Sequence, residues 1–185
     1  MLSHLRKFYN KLKKDKIFFG QEIHDKKIGI IGYGRIGKKV CKILKSFGAK
    51  IYIYDVKNIK QKTSLNFILK NCDIISIHIP LNENNENFFN KNKLSKLKKG
   101  CLIINTSRGE IIDEFYLIKK LKTKDLSYAT DVLSYENNNS KSKLKILESK
   151  IDNLLITPHI GGLTNESIKK TDEFIINKFF KNYEK

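Results

Sequence analysis

The 185-residue sequence has few cysteines, few arginines and no long apolar run. Cys41, Cys72 and Cys101 lie among apolar neighbours without CxxC spacing, which indicates buried, reduced thiols and argues against a disulfide framework or a metal site. No apolar run approaches the roughly 20 residues that a membrane span needs. Residues 1–9 lack the continuous apolar core of a signal peptide. We therefore expect a soluble cytoplasmic protein with no membrane partner and no bound metal.

Acidic residues are scarce relative to basic ones, 19 against 37, and the net charge is +18. This balance raises the hypothesis of a nucleic-acid or membrane-surface binder. However, only Arg6, Arg35 and Arg108 are arginines, and base-reading proteins rely on arginine for bidentate contacts. The lysines are scattered over helical faces, so nucleic-acid binding is a minor alternative and no nucleic-acid partner is expected.

A glycine-rich turn between two apolar runs is the most informative motif. The first run leads into Gly32-x-Gly34-x-x-Gly37, and residues 51–54 form a second run that ends at Asp55, 18 residues after the last glycine. In a dinucleotide site, such glycines allow a tight turn, close approach of the diphosphate and close packing of helix on strand. The acid would bind the ribose hydroxyls and repel a 2′-phosphate, which favours NAD over NADP.

Short apolar runs alternate with helical stretches from residue 27 onward. This alternation predicts an α/β protein with a Rossmann-type, doubly wound parallel sheet and helices on both faces. The polar stretch 136–143 predicts a surface loop, and residues 1–19 have the apolar spacing of an amphipathic helix. We predict strands over 27–31, 50–54, 74–78, 101–105, 126–132 and 154–157, and helices over 35–47, 64–71, 92–98, 112–122 and 165–182.

Polar and charged residues follow four consecutive predicted strands. These residues are His78, Arg108, the carboxylates Asp131 and Glu136, and His159. Ligands of doubly wound sheets bind beyond the carboxyl ends of the strands. The sequence therefore predicts a site that combines two imidazoles, a guanidinium and two carboxylates.

Five ordered motifs resemble the NAD-binding domain of the D-isomer-specific 2-hydroxyacid dehydrogenases. The resemblance covers roughly residues 24–170, and the motifs lie at residues 32–37, 73–81, 104–110, 131–132 and 157–162. It implies a Rossmann-type domain that binds NAD. It also implies the reversible reduction of a 2-oxo acid to a 2-hydroxy acid, without indicating which acid.

The resemblance implies three catalytic residues. Arg108 matches the arginine that grips the substrate carboxylate and 2-oxo group, His159 matches the general acid/base, and Glu136 matches the carboxylate that orients this histidine. Asp131 matches the residue that contacts the nicotinamide carboxamide. The family usually has proline after the glutamate, whereas Asn137 follows here.

The expected coenzyme contacts extend along the whole domain. His78 either lines the nicotinamide side or caps its strand, and Thr106 and Ser107 either touch the coenzyme or complete backbone hydrogen bonds. The alternatives for Arg108 are a helix cap or a surface ion pair, and for His159 a satisfied polar group at a strand end. The expected contacts are Gly32, Gly34, Arg35, Ile36, Gly37, Asp55, His78, Pro80, Thr106, Ser107, Arg108, Asp131, His159 and Gly161.

The resemblance also divides the chain. Residues 1–23 resemble a linker helix and tether, residues 24–162 the NAD-binding domain, and residues 163–185 a C-terminal helix. The family's N-terminal substrate domain is expected to be largely absent, which leaves the site open on one side. We therefore expect an NAD-dependent oxidoreductase in truncated or split form. Its substrate is expected to be a small 2-oxo or 2-hydroxy acid. Its expected partner is either a second copy, in a homodimer, or a separate substrate-domain chain. The alternative is a non-catalytic NAD(H)-binding module that senses the coenzyme or binds a partner.

Overall fold

The computed structural model describes residues 21–136 and 142–183. Within these residues, six parallel strands form one sheet in the order β2-β1-β3-β4-β5-β6. The chain order reverses between β1 and β3, which is where doubly wound sheets bind their ligands. The strands are β1 (Lys27–Ile31), β2 (Lys50–Tyr54), β3 (Ile74–Ile77), β4 (Cys101–Asn105), β5 (Leu126–Thr130) and β6 (Leu154–Ile156).

Helices connect these strands, as the alternating pattern predicts. They are α1 (Arg35–Ser46), α2 (Leu65–Asn71), α3 (Lys91–Ser95), α4 (Glu114–Lys122), α5 (Lys143–Leu147) and α6 (Asn165–Tyr183), with a short 3₁₀ helix at Gly109–Ile111. The predicted Rossmann-type fold class is therefore confirmed. None of the helices in the described ranges combines the length and apolarity needed to cross a membrane.

Both faces of the sheet are buried around β1. On one face, Ile28 and Ile30 pack with Cys41 of α1 in a small apolar cluster. On the other face, Ile31 joins Ile68 of α2 in a larger cluster that extends to β6 and takes in residues of α3, α4 and α5. The near-continuous apolar strands follow from this double burial.

Side-chain caps set the starts of three helices and correct their predicted bounds. Ser64, Asn90 and Asp113 each accept a hydrogen bond from the backbone N–H three residues later, which satisfies a donor that the first turn leaves free. These residues therefore precede their helices instead of belonging to them. The structure places these helices at Leu65–Asn71, Lys91–Ser95 and Glu114–Lys122, where the sequence predicts 64–71, 92–98 and 112–122.

Two further predictions were wrong in detail. The loop predicted over 136–143 overlaps helix α5 by one residue, Lys143, and this helix, which a buried Leu144 anchors in the larger cluster, was not predicted. The strand predicted over 126–132 ends at Thr130, because its hydroxyl bonds the backbone of Val132 and turns the chain. Residues 137–141 and the predicted helix 1–19 lie outside the described residues.

Candidate active site and coenzyme cradle

The glycine turn leaves β1 and enters α1. Gly32 has φ +96°, and a Cβ there would lie 2.7 Å from the carbonyl oxygen of His78. A Cβ at Gly37 would lie 2.1 Å from the carbonyl oxygen of Gly32, so α1 packs directly on the turn. A Cβ at Gly34 would meet no atom within 4 Å. The first and third glycines are thus needed for packing, whereas the second borders open space.

The N-terminus of α1 is free to receive an anion. Gly34 is its N-cap, and neither a side-chain cap nor an acidic residue occupies the first turn. The N–H groups of such a turn, together with the helix dipole, favour a negatively charged group. Arg35 and Ile36 are exposed at this helix start. The arrangement suits a diphosphate approaching over Gly34.

Asp55 follows β2 and is hydrogen-bonded to the same turn. It accepts hydrogen bonds from the backbone N–H of Tyr33 at 2.6 Å and of Lys57 at 2.8 Å. Partial burial acts to raise the pKa of Asp55, but these hydrogen bonds and the nearby charges of Lys57 and Lys62 together outweigh it and hold the pKa below its ordinary value. The carboxylate is therefore ionised at neutral pH. Each oxygen accepts one N–H and keeps a lone pair for a ribose hydroxyl.

His78 extends the end of β3, where its backbone N–H donates to Ile31 at 2.7 Å. Its side chain is largely buried, with Nε2 2.9 Å from the Ser76 hydroxyl. Burial lowers the pKa of His78, so the imidazole is neutral at pH 7. Pro80, two residues further on, is exposed. The histidine thus lies beside the glycine turn.

A buried asparagine holds the turn that carries Arg108. Asn105 donates to the carbonyl oxygen of Arg108 at 2.9 Å and to the Tyr128 hydroxyl at 3.2 Å, and accepts from the N–H of Ser107 at 3.0 Å. The Ser107 hydroxyl donates to the carbonyl oxygen of Ile77 at 2.9 Å, so it completes a backbone hydrogen bond. Thr106 is exposed. The turn is therefore fixed to both neighbouring strands.

The Arg108 guanidinium is exposed, and among the described residues it hydrogen-bonds only within its own turn. Nη1 donates to the carbonyl oxygen of Ser107 at 2.7 Å. Arg108 occupies the N-cap position of the 3₁₀ helix, but its side chain does not cap that helix. Within the described residues, it also forms no ion pair with a carboxylate. The remaining N–H donors are available to an external anion.

Glu136 and His159 form a close pair at the ends of β5 and β6. His159 Nδ1 lies 2.7 Å from Glu136 Oε2. The other carboxylate oxygen accepts the N–H of Leu133 at 2.6 Å. A carboxylate on one ring nitrogen leaves the other, Nε2, for proton exchange with a ligand. The pair thus has the geometry of an oriented acid/base, whereas the residue after Glu136 lies outside the described residues.

Asp131 holds the turn in which His159 lies. Both carboxylate oxygens are occupied, because they accept from the Thr157 hydroxyl, from the N–H of Ile160 at 3.0 Å and from the N–H of Gly161 at 2.7 Å. Burial acts to raise the pKa of Asp131, but these hydrogen bonds, together with the electrostatic effect of His159, outweigh it and lower the pKa. They stabilise a turn in which His159 has φ +52°, a conformation that non-glycine residues adopt at a cost.

Several residues that build the site were missed by the sequence reasoning. Ser76, Asn105 and Thr130 are buried polar side chains within otherwise apolar strands. Buried polar groups need hydrogen-bond partners, so their position in such strands was a usable signal. Their partners lie on neighbouring strands or loops and cannot be read from local sequence. Within the described residues, no group of three or more histidine, cysteine or acidic side chains is arranged to hold a metal ion.

The topology brings these groups to one edge of the sheet. The glycine turn, Asp55 and His78 follow β1, β2 and β3, while Arg108, Glu136 and His159 follow β4, β5 and β6. Because all six strands are parallel, both sets lie at the carboxyl edge. The fold and this edge define a Rossmann-type dinucleotide-binding domain.

Comparison with known proteins identifies the family. The family model for the NAD-binding domain of D-isomer specific 2-hydroxyacid dehydrogenases matches residues 1–161. D-3-phosphoglycerate dehydrogenase of Haemophilus influenzae is 35% identical over 167 residues, which are 86% of this chain and 41% of that protein. Hydroxypyruvate reductase of Thermotoga maritima is 34% identical over 172 residues, which are 90% of this chain and 56% of that protein. The chain belongs to this family of NAD-binding domains, and NAD is its coenzyme.

Solved structures agree with this assignment. D-lactate dehydrogenase from Aquifex aeolicus, complexed with NAD and lactic acid, has a TM-score of 0.81 and 28% identity, over 98% of this chain and 62% of that one. D-2-hydroxyisocaproate dehydrogenase has a TM-score of 0.83 and 27% identity, over 95% of this chain and 58% of that one. The chain spans about half the length of the curated relatives that it matches.

Proposed function

We propose that this chain provides the NAD-binding half of an oxidoreductase that interconverts a 2-hydroxy acid and a 2-oxo acid. The observation that carries the proposal is the Glu136–His159 pair, 2.7 Å apart, with Arg108 on the neighbouring strand end, which forms no ion pair with the described residues. Such a set is suited to anion binding and proton transfer at one carbon centre. Nε2 of His159 forms no hydrogen bond with the described part of the chain, so it is available to a ligand.

The chain's own residues have distinct tasks in this reaction. Bound NAD supplies the hydride chemistry. The Arg108 guanidinium binds the substrate carboxylate and 2-oxo oxygen through paired N–H donors. His159 gives the Nε2 proton to the 2-oxo oxygen during reduction and takes it from the 2-hydroxyl during oxidation. Glu136 holds the imidazole so that Nε2, and not Nδ1, exchanges this proton.

The coenzyme contacts are proposed along the carboxyl edge. The open space over Gly34, the uncapped start of α1 and the ionised Asp55 fit a diphosphate and an adenosine ribose. The negative charge of Asp55 disfavours a 2′-phosphate. Asp131 has its oxygens turned to its own loop, and we propose that a remaining lone pair accepts the nicotinamide carboxamide. The proposed contacts are Gly32, Gly34, Arg35, Ile36, Gly37, Asp55, His78, Pro80, Thr106, Ser107, Arg108, Asp131, His159 and Gly161.

Turnover of NADH with a panel of 2-oxo acids tests the assignment. We expect His159→Ala to lower the rate by about 10²- to 10⁴-fold, because the proton donor is removed. His24→Ala is the matched control, since His24 is an exposed histidine that pairs with Asp25. Equal rates for His159→Ala and the unaltered chain would remove His159 from the mechanism.

The partners of the domain are proposed from its exposed surfaces. Arg108 is exposed and half of the His159 side chain is accessible, whereas hydride transfer benefits from exclusion of water. We propose residues 1–23 as a linker, residues 24–162 as the NAD-binding domain and residues 163–185 as the C-terminal helix. A substrate-binding partner completes the site, supplied by a second copy in a homodimer or by a separate substrate-domain chain. Three buried free cysteines suit a reducing compartment, and we place the protein in the cytoplasm.

The open site also favours a second candidate function, a non-catalytic NAD(H)-binding module. In that case calorimetry would detect NADH binding, while none of the 2-oxo acids would be reduced with or without a substrate-binding partner. Reduction of any of these acids, lost in His159→Ala, would exclude the module.

A further inference from the structure

Ser76 is a buried hydroxyl in an apolar strand that neither the fold nor the proposed chemistry explains. It lies in β3, is 6% exposed, and its sheet neighbours are Ile30 and Ile104. Among the residues that the structure describes, its hydroxyl has one hydrogen-bond partner, His78 Nε2 at 2.9 Å. Serine and histidine are two positions apart in sequence, so they lie on the same side of the strand.

The direction of this hydrogen bond follows from burial. If Nε2 donated to Ser76, the hydroxyl hydrogen would have no acceptor within the described residues, and an unsatisfied buried donor is costly. If Ser76 donates, the hydroxyl is satisfied and Nε2 is the unprotonated nitrogen. The ring proton then lies on Nδ1. Burial lowers the pKa of His78, which keeps the ring neutral, and the Ser76 hydrogen bond then sets which nitrogen carries the proton.

His78 follows β3 at the point where the strand order reverses, which is where doubly wound sheets bind their ligands. Its carbonyl oxygen would be 2.7 Å from a Cβ at Gly32, and the Ser107 hydroxyl bonds the preceding residue, Ile77. It therefore lies between the glycine turn and the turn of Arg108. Nδ1 forms no hydrogen bond with the described part of the chain. We propose that Ser76 is a positioning residue that fixes His78 as the neutral Nδ1–H tautomer, so that His78 offers one hydrogen-bond donor to bound NAD(H).

Nitrogen NMR of the ¹⁵N-labelled chain tests the tautomer without any coenzyme. The chain has four histidines, and His78→Gln assigns the relevant ring. We expect a protonated-type resonance for Nδ1 and an unprotonated-type resonance for Nε2. Ser76→Ala should replace this pattern by a mixture of both tautomers. Ser127→Ala is the matched control, because Ser127 is a half-buried strand serine whose hydroxyl makes no hydrogen bond with the described residues, and it should leave the pattern unchanged.

Calorimetric titration with NADH then tests the donor. This part rests on the proposed function. We expect Ser76→Ala to bind NADH about two- to tenfold more weakly than the unaltered chain, because one oriented hydrogen bond is lost. Ser127→Ala should bind NADH as the unaltered chain does.

The two measurements separate the ways in which the proposal fails. An Nε2–H tautomer in the unaltered chain, or an unchanged pattern in Ser76→Ala, overturns the role of Ser76 whatever the coenzyme does. Equal NADH affinity of Ser76→Ala and the unaltered chain overturns the donor role of His78. Absence of NADH binding to the folded, unaltered chain overturns the proposed function and the donor role together, while the spectra still decide the tautomer.

Discussion

Individual polar side chains act as ties between the loops that carry the reactive groups. Asp131 bonds three donors of the His159 turn, and Asn105 bonds both sides of the Arg108 turn. Hydrogen bonds to a charged acceptor are stronger than neutral ones, and a buried N–H that loses its acceptor is destabilising. Asp131 and Asn105 therefore position His159 and Arg108 by holding the turns in which these two residues lie.

The first prediction concerns Asp131. Asp131→Asn places an amide N–H₂ opposite one of the backbone N–H donors, so we expect the free energy of unfolding at pH 7 to fall by about 1–3 kcal/mol. Asp172→Asn, at an exposed position of α6, is the control and should change it by less than about 0.5 kcal/mol. Urea denaturation measures both. Equal stability of the two variants would mean that the three hydrogen bonds contribute little.

The same residue predicts a dependence on pH. The folded pKa of Asp131 is below its ordinary value of 3.8, so its contribution is complete above that value and is lost as pH falls through the folded pKa. The stability difference between the unaltered chain and Asp131→Asn should therefore shrink below about pH 4. A difference that stays constant from pH 7 to pH 3 would contradict this linkage.

At the scale of elements, β1, the glycine turn and α1 form a unit in which each glycine has a different task. Gly37→Ala would drive a Cβ to 2.1 Å from the carbonyl oxygen of Gly32, whereas Gly34→Ala meets no atom within 4 Å. We expect Gly37→Ala to destabilise the fold by more than about 2 kcal/mol. Gly34→Ala should remain within about 1 kcal/mol of the unaltered chain but bind NADH at least tenfold more weakly, since its methyl group occupies the diphosphate path. Thermal unfolding measures the loss of stability, and calorimetry measures NADH binding. Unchanged NADH affinity in Gly34→Ala would contradict the proposal that the diphosphate lies over Gly34.

The elements also show what the sequence can predict. The six strands were predicted to within two residues, because each is an apolar run that the sheet buries. Helix α5 was missed because it is short, lysine-rich and anchored mainly by Leu144, so its only strong signal is tertiary. The glycine turn was likewise readable from spacing. Local sequence patterns do not encode the hydrogen bond from Asn105 to Tyr128 or those that Asp131 accepts. These hydrogen bonds join residues 23 or more positions apart.

At the scale of the whole molecule, α6 is exposed over residues 168–181. Ile175, Ile176 and Phe180 are 58%, 54% and 59% exposed, and their spacing places them on one side of the helix. Exposed apolar stripes of this kind are typical of interaction surfaces. The relatives' greater length is consistent with a partner for this helix.

The last prediction concerns assembly. We expect the unaltered chain to have a mass above the 21.6 kDa of one chain in light scattering, and Ile176→Lys to shift it towards one chain. Asn177→Lys adds the same charge at an exposed polar position of α6, removes no apolar side chain and should have the smaller effect. A monodisperse 21.6 kDa species for the unaltered chain would contradict self-association, and co-expression with a separate substrate-domain chain then tests the other proposed partner.

The division of the site between the first three and the last three strands has a consequence for gene shuffling. The coenzyme cradle comes from the first three strands, and the reactive side chains come from the last three. Between β3 and β4, the Ser107 hydroxyl donates a hydrogen bond to the backbone carbonyl of Ile77, which any residue at that position would supply. Hybrids joined in the connection between β3 and β4 should therefore inherit nucleotide preference from one parent and reaction chemistry from the other.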